Sequence, residues 1–237
     1  MRPFYKQVLL INKLLLASLF AVLTVTVTHA GTPQSVKKSI DSKASKTVDF
    51  NERLHLIFMR EEEKLARDVY ITLGMQYKDL SVFGNISTSE ERHTCSVCDK
   101  LGEYDIPDPV TNDNVGVFSG EEFGDYFTQK YEQLVTRGRQ NRLEALMVGA
   151  YIEELDMIDI NNCPKVIIET YENIDSDGDC GKVYTDNADL QRLYASLIEG
   201  SESHLRAFVD NIEKLIGAGQ YKAQLLTQEE VDAILGR

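Results

Sequence analysis

Four long stretches of this chain carry apolar residues at intervals of three and four, and each breaks its stripe with a polar or ionisable side chain. Such spacing keeps one face of an α-helix apolar. A polar group on that face is costly to bury unless it is paired or bound to a metal. The first stretch, from about Asn51 to Gln76, aligns Leu56, Met59, Glu63, Ala66, Tyr70 and Leu73. The second, from about Ser81 to Tyr104, aligns Phe83, Ile86, Glu90, His93, Val97 and Leu101. The third, from about Gln140 to Asn161, aligns Leu146, Ala150, Glu153 and Met157. The fourth, from about Ala188 to Ile216, aligns Leu190, Tyr194, Leu197, Ser201, His204 and Phe208. No part of the chain beyond its N-terminal leader alternates with the period of a strand, which predicts an all-α fold.

The connections are unequal. A short turn joins the first two helices. Ile106-Pro107-Asp108-Pro109 breaks the second and opens a long crossover. Within the crossover, Ser119 and Glu122 have capping-box spacing and predict a shorter helix that ends near Gly138. Pro164 and the Asp/Gly-rich run from Asp175 to Gly181 mark the next break, and Thr227 with Glu230 caps a last short helix. Four long helices with one long crossover between the second and third is the layout of a ferritin-like four-helix bundle.

Glu90 and His93 form Glu-x-x-His, which puts a carboxylate and an imidazole one turn apart on one helix face. In di-iron carboxylate bundles, two helices give one Glu each and two give Glu-x-x-His. Glu63 and Glu153 fit the single positions. The fourth helix departs from the pattern, because Ser201 stands three residues before His204. The centre then lacks one carboxylate, unless Glu154 or Glu202 supplies it, or it holds a single metal. The competing reading is a buried hydrogen-bond and salt network with Arg67 and Tyr70. His55 is expected on the surface of the first helix, and Tyr70 and Tyr194 are expected to pack in the core.

These residues also carry a resemblance. Glu63-Lys-Leu-Ala-Arg67-Asp-Val-Tyr70 resembles the first metal-binding helix of rubrerythrins, Ile86-Ser-Thr-Ser-Glu90-Glu-Arg-His93 their second, and Gly149-Ala-Tyr-Ile-Glu153 their third. With Glu61 to Ala66, Val148 to Glu154 and His204 to Phe208, the run over about 50–235 resembles a prokaryotic family called domain of unknown function 2202, in the ferritin-like superfamily. The resemblance implies Glu63, Glu90, His93, Glu153 and His204 as metal ligands. It does not imply an activity.

The N-terminus reads as an export signal. Arg2, Lys6 and Lys13 precede an uncharged apolar run from Leu14 to Val27, and Thr28-His29-Ala30 offers a cleavage site before Gly31. We therefore expect a cleaved signal over 1–30, a flexible leader over 31–48 and one helical domain over 49–237, periplasmic or extracellular and without stable membrane insertion. The formal charge of −13 becomes about −16 once three basic residues leave with the signal, which argues against nucleic acid as a partner. Metal ions are the expected partners, and self-association is left open.

Outside the leader, all four cysteines remain: Cys95, Cys98, Cys163 and Cys180. In an oxidising compartment an even count predicts disulfides. If the second and third helices run parallel, Cys98 and Cys163 lie at one level, about 12–15 Å beyond Glu90 and Glu153 at 1.5 Å per residue. The Cys95/Cys98 pair is thus expected to link to Cys163 and Cys180, with a four-cysteine zinc site as the rival. Asp175-Ser-Asp177-Gly-Asp179 has calcium-loop oxygens at its first three alternate positions, but Cys180 replaces the glycine at the sixth, and a solvated turn is expected.

The functional expectation is an exported protein holding iron (two ions, with zinc or manganese as alternatives) as an oxidoreductase or iron-oxidising protein. The alternative is a structural or partner-binding bundle with a degenerate metal site.

Overall fold

A computed structural model describes residues 47–174 and 180–237. The expected signal over 1–30, residues 31–46 of the expected leader and the Asp175–Asp179 run lie outside the described residues. Seven α-helices and no strands occur among the described residues: α1 Phe50–Gln76, α2 Ser81–Glu103, α3 Gly124–Gly138, α4 Arg142–Asn161, α5 Lys165–Thr170, α6 Ala188–Ile216 and α7 Gln228–Leu235. No helix among them is long and apolar enough to cross a membrane.

Local chemistry sets most of the helix starts. Asp49 caps α1 in a reciprocal box with Glu52, Asn141 caps α4 by accepting from the Glu144 amide, and Asn187 caps α6. Thr227 and Glu230 form the capping box of α7 as the sequence suggested. Ser119 does not cap α3, which begins after Phe123 without a side-chain cap. The Ser119 hydroxyl is engaged with Thr111 (2.9 Å between the oxygens), and Glu122 pairs with Arg53 at 3.4 Å. Both residues are thus used to fold the crossover rather than to start the helix.

The bundle is built from two extensively packed helix pairs, α1 with α2 and α4 with α6, and α3 packs on both α1 and α4. One core of apolar side chains runs through it. From Leu54 to Tyr70, every residue of α1 is buried, its charged residues included. The crossover covers the face of α1 that an isolated pair of helices would leave wet. His55 is also fully buried rather than on the surface, against α4 and α6. It lies 2.8 Å from the Tyr194 hydroxyl through Nδ1 and 2.8 Å from the Asp159 carbonyl through Nε2, and burial pushes its pKa down to about 4, so it stays neutral.

The charges on the covered face of α1 strap the crossover down. Lys64, fully buried, bonds Asp68, donates to the Asn114 carbonyl at 3.0 Å and lies over the Phe118 ring. Asp68 also accepts from the Gly116 amide at 2.9 Å and from Arg67 at 3.0 Å. Arg67 reaches on to Glu91 and Asp113, each at 2.7 Å. Arg60 holds Asp108 at 3.1 Å.

One disulfide is present, and it joins Cys163 to Cys180, with Cα atoms 4.6 Å apart. The expected link from Cys95 and Cys98 is corrected: both are free thiols. Cys95 is exposed on α2, and the Cys98 thiol donates to the Cys95 carbonyl at 2.9 Å, so both stay on the outer side of the helix while the 162–181 excursion closes on itself. Peptide mapping without reduction should find Cys163 joined to Cys180 and both Cys95 and Cys98 alkylated.

Asp68→Ala removes the acceptor shared by two buried cations and a backbone amide. Breaking one partner out of a buried ion network costs about 3–5 kcal/mol. Urea unfolding should report a loss of that size, with α1 retained and the crossover opened to proteolysis.

Candidate metal centre

The helix stripes place Glu63 on α1, Glu90 and His93 on α2, Glu153 on α4 and His204 on α6, and the bundle brings these five together. Glu90 is the centre. Its Oε2 lies 2.9 Å from His93 Nδ1 and its Oε1 lies 2.7 Å from His204 Nδ1. Each histidine also faces a second carboxylate: His93 Nδ1 is 3.4 Å from Glu63 Oε2, and His204 Nδ1 is 3.5 Å from Glu153 Oε2. The arrangement is two His–Glu halves that share Glu90, with the imidazole rings stacked at 5.4 Å.

The shell explains the register. The Cε1–Nε2 edge of His93 lies against the α6 backbone at Gly200, where any Cβ would overlap its ring. Tyr70 donates to Glu153 Oε1 at 2.5 Å, which leaves Oε2 to face His204. Gly149 makes room for the Phe208 ring, which packs on Tyr70 and Phe83. The chain does not saturate the centre by itself. Glu63 Oε1 is buried without a hydrogen-bond partner.

The electrostatics follow from this crowding. Burial opposes charge on His93, but hydrogen bonds and charge pairing with Glu63 and Glu90 outweigh it and push its pKa up to about 11. Burial likewise opposes charge on His204, and Glu153 and Glu90 lift it to about 10. Burial also works against ionising Glu90, yet the two histidines bring it down to about 2. Glu63 is pushed up to about 7 by burial, against the pull of His93, and Glu153 is raised by burial as well.

The residues expected to compensate for Ser201 sit elsewhere. Glu154 accepts from the Tyr221 hydroxyl (2.6 Å) and from the amides of Gln224 (2.8 Å), Leu225 (2.5 Å) and Leu226 (2.9 Å), which spends it on anchoring the chain before α7. Glu202 is partly exposed and lies 3.7 Å from Arg206 on the same helix. Arg67, proposed as a member of a core network, points into the crossover instead, whereas Tyr70 does join the centre. Ser201 bonds the buried carboxylate of Asp156, a residue the stripe reading missed. The signal was present, because Asp156 lies three residues after Glu153 and shares its face. Met157, at the fourth, took the inward place in the count.

The geometry suits a cation. Glu90, His93 and His204 offer ligand atoms that all lie within 4.8 Å of one another, the one such group among the described residues. Mixed carboxylate and imidazole donors fit iron, manganese or zinc. The profile of the family described as "Uncharacterized protein domain (DUF2202)" matches residues 52–237. The chain belongs to this family. It is similar to "Uncharacterized protein MJ0754" of Methanocaldococcus jannaschii, 39% identical over 196 residues that cover 83% of this chain and 92% of that one. It is also similar to the solved structure described as the crystal structure of hypothetical protein MJ0754 from Methanococcus jannaschii DSM 2661, with a TM-score of 0.66 and 38% identity over 81% of this chain and 95% of that chain. The matched family region contains every one of the five inward ligand candidates.

A histidine whose pKa is raised by folding adds stability that is complete below its unfolded value, 6.5, and is lost as pH rises through the folded value, about 11. In chelator-treated protein, His93→Gln should therefore be most destabilising near about pH 6 and converge on wild type toward about pH 11. Urea unfolding across that range reads the convergence.

Proposed function

We propose that this chain is an exported ferritin-like metal protein whose bundle core holds iron, and that it acts as an iron-oxidising protein or oxidoreductase. The observation that carries the reading is Glu90, a buried carboxylate with one oxygen at each of two imidazole nitrogens, flanked by Glu63 and Glu153. Four helices contribute to one centre, as in di-iron carboxylate bundles. Glu63 and His93 would hold one ion, Glu153 and His204 a second, and Glu90 would serve both. When bound, iron supplies electrons to dioxygen or a peroxide as it passes from the ferrous to the ferric state. Zinc or manganese would use the same donors without that chemistry or with a different potential.

The chain's own groups do the rest. Carboxylates favour the ion of higher charge by simple electrostatics. Tyr70 fixes Glu153 through Oε1, and the aromatic cluster of Tyr70, Phe83 and Phe208 closes that end to water. The unpartnered Glu63 Oε1 is a donor a bound cation would satisfy. Export is supported by the signal-like N-terminus and by the Cys163–Cys180 disulfide, which suits an oxidising compartment.

One observation favours a second reading. Each histidine already faces two carboxylates and is held protonated, so the cluster can serve as a structural charge network alone. Elemental analysis of protein from iron-supplemented growth separates the two. We expect stoichiometric iron and ferrous oxidation in wild type, both lost in Glu90→Ala and His93→Ala while helicity is retained. Trace metal in wild type, with no ferrous oxidation above background, would leave the structural network as the function.

A further inference from the structure

We propose that Asp156, oriented by Ser201, is the second shared carboxylate of the metal centre and takes the place that Ser201 leaves empty in the fourth helix. The inference rests on the metal-binding reading above. The bundle pattern asks for a carboxylate three residues before His204. Ser201 stands there, buried, with a hydroxyl too short to reach a shared cation. That hydroxyl instead donates to Oδ2 of Asp156, delivered from α4 one turn beyond Glu153.

Asp156 stands one turn from Glu153 on α4, and Ser201 one turn from His204 on α6, so their contact lies against the Glu153–His204 contact of the centre. Asp156 is 5% exposed, and its second oxygen, Oδ1, is buried without any partner. Its pKa is raised well above the ordinary value, first by burial and then by the charge of Glu63, with Ser201 opposing and Glu153 and Glu90 adding to the rise. Three of the carboxylates that act on it, Glu63, Glu153 and Glu90, belong to the centre, and a fourth, Glu62, lies outside it. A serine that orients one oxygen and leaves the other bare gives Asp156 the fixed direction a ligand needs, and such outer hydrogen bonds tune metal affinity.

Charge balance argues the same way. Glu63, Glu90 and Glu153 with two neutral histidines leave two divalent ions short of one negative charge. Asp156 makes the four carboxylates that neutralise them. A buried site avoids residual net charge because its desolvation is expensive.

The test is metal stoichiometry of the full chain, loaded anaerobically with ferrous iron, desalted, and measured by elemental analysis beside native mass spectrometry. Wild type should hold two ions and Asp156→Asn one, with unchanged circular dichroism, because Asn keeps the shape and the bond to Ser201. Ser201→Ala should keep both ions but bind the second roughly 10-fold more weakly. In the double variant D156A/S201E a glutamate enters at the bundle's usual position, into the volume the aspartate vacates, and two ions should return. Two ions in both wild type and Asp156→Asn would overturn the role of Asp156 and leave the metal reading intact. A single ion in wild type, unchanged in Asp156→Asn, would overturn it too. No ion in wild type would remove the metal reading, and this inference with it.

Discussion

The contact of Glu90 with two histidines is the constraint on which the rest of this bundle turns. Its carboxylate reaches His93 within α2 and His204 across on α6. Similar polar contacts cross the other helix interfaces of the core. Tyr70 of α1 meets Glu153 of α4, and Ser201 of α6 meets Asp156 of α4. Apolar packing is tolerant of small slides between helices. Directional contacts between buried charges are not, so the polar layer fixes the register that the apolar layers fill.

Such a layer survives only if water is kept out and the charges are matched. Both conditions are met by segments far from the centre in sequence. The crossover after α2 is pinned to α1 by Lys64, Arg67 and Asp68, which converts α1 from a surface helix into one buried on all sides. At the other end, Glu154 gathers three backbone amides and a tyrosine hydroxyl and draws the chain before α7 across α4. Two adjacent acids on α4 thus have separate tasks, with Glu153 turned to the centre and Glu154 holding the cover.

Helical period alone revealed much of this. The four stripes named Glu63, Glu90, His93, Glu153 and His204, and those side chains converge. What period cannot resolve is phase: on a helix of 3.6 residues per turn, positions three and four ahead are equally good inward candidates. Asp156 and Met157 occupy those two positions after Glu153, and both are buried. His55 eluded the pattern for a different reason, since its burial depends on Tyr194 and Asp159, more than a hundred residues away. The cysteines eluded it because pairing depends on how a loop closes, and the 162–181 excursion returns close enough to itself for Cys163 and Cys180 to meet.

The same groups explain how one geometry can exist with and without a cation. In the chain alone, protons are the counter-charge: both histidines carry them, and Glu63, Glu153 and Asp156 are pushed toward their neutral forms by burial. A divalent ion competes with protons for the same lone pairs, so loading would release protons rather than rebuild the site. Little of the shell would need to move, because Gly200, Tyr70 and Ser201 already hold His93, Glu153 and Asp156 by contacts that do not involve the donor atoms left bare. Hydrogen bonds that close every oxygen would be the cheaper solution, since each unsatisfied buried polar group costs about 1–3 kcal/mol. Oε1 of Glu63 and Oδ1 of Asp156 are bare beside the centre, where a bound cation would satisfy both, whereas the bare oxygens of Glu61 and Glu62 lie outside it.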